Sequence, residues 1–341
     1  MKKLLCAGAV FAALVAGPVM AADQAPRVYR RPVVVAAPVW TWTGFYIGGN
    51  IGYSWGRGST DVAGSGRTFI FPGFAGLFSN FPGFPANTGF AGSNTTRLNG
   101  VVGGGQIGYN FQFTPNWVLG FETDIQGSGE RGSSTFVNPF STQLCGLATT
   151  DGTIFTCNPN VPANGIVGTA YEARINWFGT VRGRLGYLIT DQVLLYGTGG
   201  LAYGQVKLSG ITSVNGSTDF TSLQSMGIPA GVYAFTPGGT VFNASKTTVG
   251  FTVGGGIEGK CSYWLPVGWT WKLEYLYVDL GSLDTMTPFP SAVPQFGLLL
   301  PGITYATPFT GAITTHTHFT DSVVRIGLNY KFGYAPAVVT K

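Results

Sequence analysis

Eight stretches of this chain alternate apolar and polar residues with period two, the pattern of a strand with two different faces. They are 43–55, 97–113, 117–129, 172–189, 193–209, 247–261, 269–281 and 319–332. The alternation is sharpest in the last. There Val324, Ile326, Leu328, Tyr330 and Phe332 share one face, and Arg325, Gly327, Asn329 and Lys331 the other. The fourth sets Ile175, Trp177, Val181, Leu185, Tyr187 and Ile189 against Arg174, Asn176, Thr180, Arg182 and Arg184. Links between stretches alternate in length: 56–96, 130–171, 210–246 and 282–318 are long, while 114–116, 190–192 and 262–268 are short. Antiparallel strands with tight turns at one end and long loops at the other predict an all-β fold, an eight-stranded up-and-down transmembrane barrel.

Composition agrees with a lipid-wetted wall. Only 10% of residues are charged, against about 25% in an average soluble domain. Beyond the N-terminus no apolar run is long enough for a transmembrane helix. A closed barrel hides an apolar chain without one, because closure pairs every backbone donor and acceptor. Residues 1–22 read as a signal peptide: Lys2 and Lys3, an apolar run from Leu4 to Ala16, then Val19-Met20-Ala21. A Pro-rich periplasmic linker is expected over 23–41, the barrel over 42–333 and a periplasmic tail over 334–341. Six tryptophans (Trp40, Trp42, Trp117, Trp264, Trp269, Trp271) gather near the short-turn end, as expected where a bilayer meets water. The expected address is the outer membrane of a Gram-negative cell.

In a barrel of eight strands the polar faces point into a narrow interior. The expected lumen network is Glu122, Asp124, Arg174, Arg182, Arg184, Glu258, Lys260, Lys272, Glu274, Arg325 and Lys331. Buried charges must pair, so a packed ionic core is expected. The alternative is a conducting pore with weak anion preference, because basic residues outnumber acids in that set. The mature chain's small, scattered positive charge excludes nucleic acid as a partner.

Few residues suggest other chemistry. GGGQIG at 103–108 and GGGIEG at 254–259 fit the dinucleotide pattern, but no helix-like segment follows either. Glycine repeated in strands points instead to tight curvature and close packing. His316 and His318 are expected near the outer rim, either as plain exposed loop residues or as contacts for haem or a metal. Cys145 and Cys157 share the second long link and would meet oxidising conditions on export. They form a disulfide or remain two free thiols. No metal-ligand spacing, cofactor signature or catalytic constellation appears. The loop stretches between Arg67 and Arg97 and between Asp284 and Asp321 hold no Asp, Glu, Lys or Arg, leaving contact with lipopolysaccharide or a host surface open.

Several segments carry a family resemblance: WTGFYIGGNIGY (42–53), GGGQIGYNF (103–111), RGRLGY (182–187), LLYGTGGLAYG (194–204), TVGGGIE (252–258) and RIGLNYKF (325–332). Together they resemble the small outer-membrane immunogenic proteins of rhizobia, Brucella and Bartonella, within the OmpA/OmpX-like superfamily of eight-stranded barrels. The resemblance covers the strands of 40–332 and not the long links. It implies an integral outer-membrane protein inserted by the barrel-assembly machinery. The roles it implies are envelope integrity, porin-like diffusion, host interaction and, in some members, haemin binding. Family members often end at an aromatic residue; here Phe332 is followed by GYAPAVVTK.

Overall fold

The computed structural model describes residues 40–70, 84–145, 157–219, 221, 230–236, 238–261, 265–288, 293–294 and 310–333. The expected signal peptide, most of the expected linker, Trp264 and the expected tail lie outside the described residues. The strands are β1 (Gly44–Ile70), β2 (Phe84–Gln112), β3 (Trp117–Cys145), β4 (Cys157–Thr190), β5 (Val193–Asp219), β6 (Val232–Thr236), β7 (Gly238–Lys260), β8 (Trp269–Pro288), β9 (Val293–Pro294) and β10 (Thr310–Lys331). Eight of them close a ring, β1-β2-β3-β4-β5-β7-β8-β10 and back to β1, with every pairing antiparallel. Short β6 and β9 append to β5.

The lower part of the ring carries the outward apolar face read from the sequence. Phe45, Ile47, Ile51 and Tyr53 on β1 are exposed, as are Val324, Ile326 and Leu328 on β10. Aromatic pairs mark both edges of this band. Trp117 meets Tyr187 at 5.2 Å and Trp269 meets Tyr330 at 5.4 Å at the short-turn end. Trp177 meets Tyr203 at 6.1 Å, with Trp55 on β1, at the other. From Phe45 to Trp55 a tilted strand rises about 25 Å, the height of an outer-membrane apolar band.

The strands do not stop there. β4 runs 34 residues and β2 and β3 run 29 each, so most of the expected loops are strand. Above the upper aromatics the outward face turns polar on β1 and β2, while Val137, Ile166, Ile211 and Val241 stay exposed on β3, β4, β5 and β7. Outward positions become Ser59, Asp61, Ser93 and Thr95, while inward ones hold Val62, Phe90, Val167, Val214 and Ile313, packed as one apolar cluster. Outward polar residues among Gly, Ser and Thr imitate loop composition, which hid the extension in the sequence. The result is a β-tower standing on the membrane segment.

A second difference lies in β4. The β4–β5 register slips between Ile175 and Trp177, leaving Asn176 as an extra residue. A bulge of this kind reverses which parity faces inward. Below it Arg182 and Arg184 point into the lumen; above it Tyr171, Ala173 and Ile175 do. Arg174 is therefore outside the barrel, contrary to the strict alternation assumed for that strand.

Candidate functional site

The lumen is a stack of layers. At the periplasmic mouth Trp42 packs with Val118, Leu188, Leu194 and Tyr196, and Trp40 leans on this cluster. Two tryptophans expected in the interfacial belt thus plug the barrel instead. Lys260 and Lys331 sit at this rim and stack over the Trp40 ring at 5.0 and 4.9 Å. Lys331 also donates to the Thr41 carbonyl at 2.6 Å. Neither lysine joins the carboxylates above, because the aromatic layer separates them.

Above the plug lies the ionic layer, built from strand positions that alternate inward. Glu122 accepts from Lys272 Nζ at 2.9 Å, from Arg182 and from Tyr46 at 2.7 Å. Arg184 donates to Glu258 at 2.6 Å and stacks on Tyr196 at 3.9 Å. Arg325 bridges Glu274 and Asp124, both at 2.7 Å, and Arg182 joins the same two acids at 3.0 Å. Tyr196 and Thr180 add donors to Glu274 Oε1 and Asp124 Oδ2, which the arginines already hold, while Thr270 and Asn329 both donate to Glu258 Oε1. All eight charged side chains are buried. Four carboxylates face four cations, so the layer carries no net charge. The excess of basic residues behind an anion-selective pore disappears once Arg174 lies outside and the two lysines lie at the rim.

The expected network omitted two further lumen acids, although Asp321 shares the polar face of Arg325 within the last expected strand. Glu130 on β3 and Asp321 on β10 are buried and contact each other and Ser54, with no basic side chain among their hydrogen-bond partners. Glu130 had been assigned to a loop. Higher still, the interior is apolar: Leu98, Val102, Ile175, Phe178, Val206, Leu276, Val278 and Phe319 form one buried cluster beneath the tower core.

On the outer wall, His316 and His318 lie in β10 itself rather than in a loop. His316 Nδ1 meets Asp284 Oδ1 at 2.5 Å. His318 meets Ser282 through Nδ1 and Asp279 through Nε2, at 3.0 and 3.2 Å. An open groove of about 740 Å³ beside them is lined by Asp61, Ser93, Asp284, Met286 and His316. Among the described residues no group of three or more His, Cys, Asp or Glu is placed to hold a metal. Elsewhere on the wall Arg174 donates to Glu172 at 2.8 Å, and this bond holds the Glu172 carboxyl below its ordinary range. Cys145 and Cys157 are register partners across β3 and β4. Cys261 is a free thiol past the end of β7.

The glycine motifs belong to strands, not to a phosphate cradle. A Cβ on Gly104 would lie 1.9 Å from the Ile125 carbonyl oxygen on β3, and one on Gly254 2.1 Å from that of Tyr275 on β8. These glycines allow neighbouring strands to approach closely.

A closed antiparallel ring with an apolar belt, aromatic edges and an ion-paired interior defines an integral outer-membrane β-barrel. The family model described as outer membrane protein beta-barrel domain matches residues 9–332, and the chain belongs to that family. It is 32% identical over 332 residues to the 31 kDa outer-membrane immunogenic protein of Brucella melitensis biotype 1, covering 97% of this chain and all of that one. It is 28% identical over 249 residues to the 22 kDa outer membrane protein of Rhizobium leguminosarum bv. viciae, covering 72% and 68% of the two chains. Among solved structures, the attachment invasion locus protein Ail of Yersinia pestis aligns at 10% identity with a TM-score of 0.22, over 81% of this chain and 98% of that one.

Proposed function

We propose that this outer-membrane protein is a sealed structural barrel that carries a rigid β-tower above the membrane. One observation supports it above the others: the lumen is filled layer by layer. A neutral ionic layer is capped below by Trp42 and its neighbours and above by a continuous apolar cluster. An ion crossing it would have to part buried charge pairs and then enter an apolar layer, both costly. Planar-bilayer recording tests the reading. The refolded protein is expected to give no conductance steps; reproducible steps that scale with salt would establish the porin-like alternative.

A second reading is ligand capture on the outer wall at His316 and His318, supported by the groove beside them. Asp61, Asp279 and Asp284 surround the imidazoles, and carboxylates repel an anionic group such as a haem propionate. This wall suits a cationic ligand better than haem. Haemin titration followed at the Soret band is expected to give the same weak response in the native chain and in His316→Ala/His318→Ala. A saturable response lost in the double variant would favour haem capture.

A further inference from the structure

Basic residues on the outer wall of the tower form a row that nothing in the fold requires. Arg57 on β1 stands directly opposite Arg97 on β2. Arg131 on β3 stands opposite Arg174 on β4, which stands opposite Lys207 on β5. The two groups adjoin, because Arg131 pairs with Asn99, two residues below Arg97. The four arginines are exposed, and Lys207 is partly so. Like charges directly opposed across strands destabilise a sheet. Here that arrangement occurs three times over five consecutive strands. Glu172 is the one outward carboxylate among the described residues of β2 to β5 below the tower's top, and Arg174 already holds it.

The row's height is as informative as its charge. Arg57 lies two residues above Trp55, and Arg174 lies just past the bulge above Trp177. Trp and Tyr settle at the bilayer interface, so the row stands at the level of outer-leaflet headgroups. The opposite sector differs: the outward Asp, Glu, Lys, Arg and His residues of β8 and β10 among the described residues are Asp279, Asp284, His316 and His318. The wall therefore has a basic arc and an acidic sector at one height.

We propose that the arc formed by Arg57, Arg97, Arg131, Arg174 and Lys207 binds the anionic headgroup of an outer-leaflet lipopolysaccharide, clamping the barrel into its membrane. Guanidinium groups pair with phosphate through charge-assisted, often bidentate bonds. One phosphate between two opposed arginines converts a repulsive pair into an attractive one. The proposal rests on the outer-membrane seat of the barrel and gives the structural role a lipid partner. It does not depend on whether the lumen conducts.

The test uses the full refolded chain in phosphatidylcholine bilayers containing labelled bisphosphorylated lipid A, with energy transfer from tryptophan reporting enrichment of the label around the protein. Native protein is expected to enrich the label, and the enrichment is expected to fall as NaCl rises above about 0.15 M. R131Q/R174Q/K207Q is expected to lose roughly ten-fold or more in apparent affinity while keeping the gel mobility of a folded barrel. R57Q/R97Q is expected to lose a smaller part. Equal enrichment in native and triple-variant protein would overturn the proposal. So would equal enrichment of dephosphorylated lipid A, an arm that needs no variant and decides the matter even where a variant fails to fold. Binding of a soluble sulfated polysaccharide without enrichment of lipid A would also overturn it, marking the arc as a site for soluble polyanions. Conductance of the same preparations is read separately, so failure of the lipid clamp and failure of the sealed lumen are distinguishable.

Discussion

At the scale of single residues, two kinds of buried acid call for opposite predictions. Glu122 is held by Arg182, Arg184, Lys272 and Tyr46. Glu122→Gln leaves uncompensated positive charge in a buried layer, and removal of one partner from such a network costs about 3–5 kcal/mol. The urea midpoint of the refolded barrel, followed by gel mobility, should fall accordingly; an unchanged midpoint would mean the layer is wet and screened. Glu130 and Asp321 are the contrary case, two acids in contact without a cation. Two buried carboxyl groups in hydrogen-bond contact share a proton, and Glu130→Gln replaces that O–H donor with an amide N–H, so the same midpoint should hold steady. Arg174→Gln should leave it unchanged, because that side chain is outside and solvated. Arg174 shows where reading residues one at a time reaches its limit. Its neighbours in sequence alternate except at Phe178, an apolar residue on the polar face, and the slip at Asn176 is what turns Arg174 outward.

At the scale of elements, the tower is the main departure from expectation. Strand formation above the membrane is driven by inward apolar residues, and Phe319, fully buried in the cluster beneath the tower core, is a central one at its base. Phe319→Ala should cost about 3–5 kcal/mol, as truncation of a buried aromatic does. It should also raise hydrogen exchange in the upper parts of β1 and β10 more than in their membrane parts. Uniform exchange along both strands would contradict a packed tower. The β3–β4 hairpin offers a second check. Antiparallel partners have Cα atoms about 4.5–5.5 Å apart, within the range a disulfide spans, and Cys145 and Cys157 are such partners. Mature protein alkylated without reductant should therefore show one reactive thiol, Cys261, and two more after reduction. Three from the start would leave β4 joined to β3 by its ladder alone. Burial pushes the Cys261 thiol up, so its alkylation should be slow at neutral pH.

At the scale of the whole molecule, the layered lumen and the charged outer wall divide the work. In the proposed reading the inside stabilises a closed cylinder, and the basic arc outside anchors it in its membrane. Eight strands leave an interior that side chains fill, so the proposed seal rests on strand number as well as on sequence. Widening that interior should be hard: trimming Phe178 and Leu276 to Ala should destabilise the barrel before it opens a path. Conductance gained at unchanged stability would show that the apolar layer is not the seal.

The amino-acid sequence by itself determined the strand count in the membrane, the antiparallel order, the lipid-facing residues and most of the ionic layer. Each follows from period-two alternation against lipid, a signal local to a few residues. Glu122, Asp124, Arg182, Arg184, Glu258, Lys272, Glu274 and Arg325 were legible for that reason. Tertiary structure alone decided the rest. Whether Arg174 points in or out depends on a bulge set by pairing with β5. Whether residues such as Val62 and Phe90 belong to loop or strand depends on the distant Val167 and Val214 that they pack against. Whether five scattered basic residues make an arc depends on register across five strands. Alternation is written along the chain, whereas register, bulges and cross-barrel packing arise only when distant strands meet.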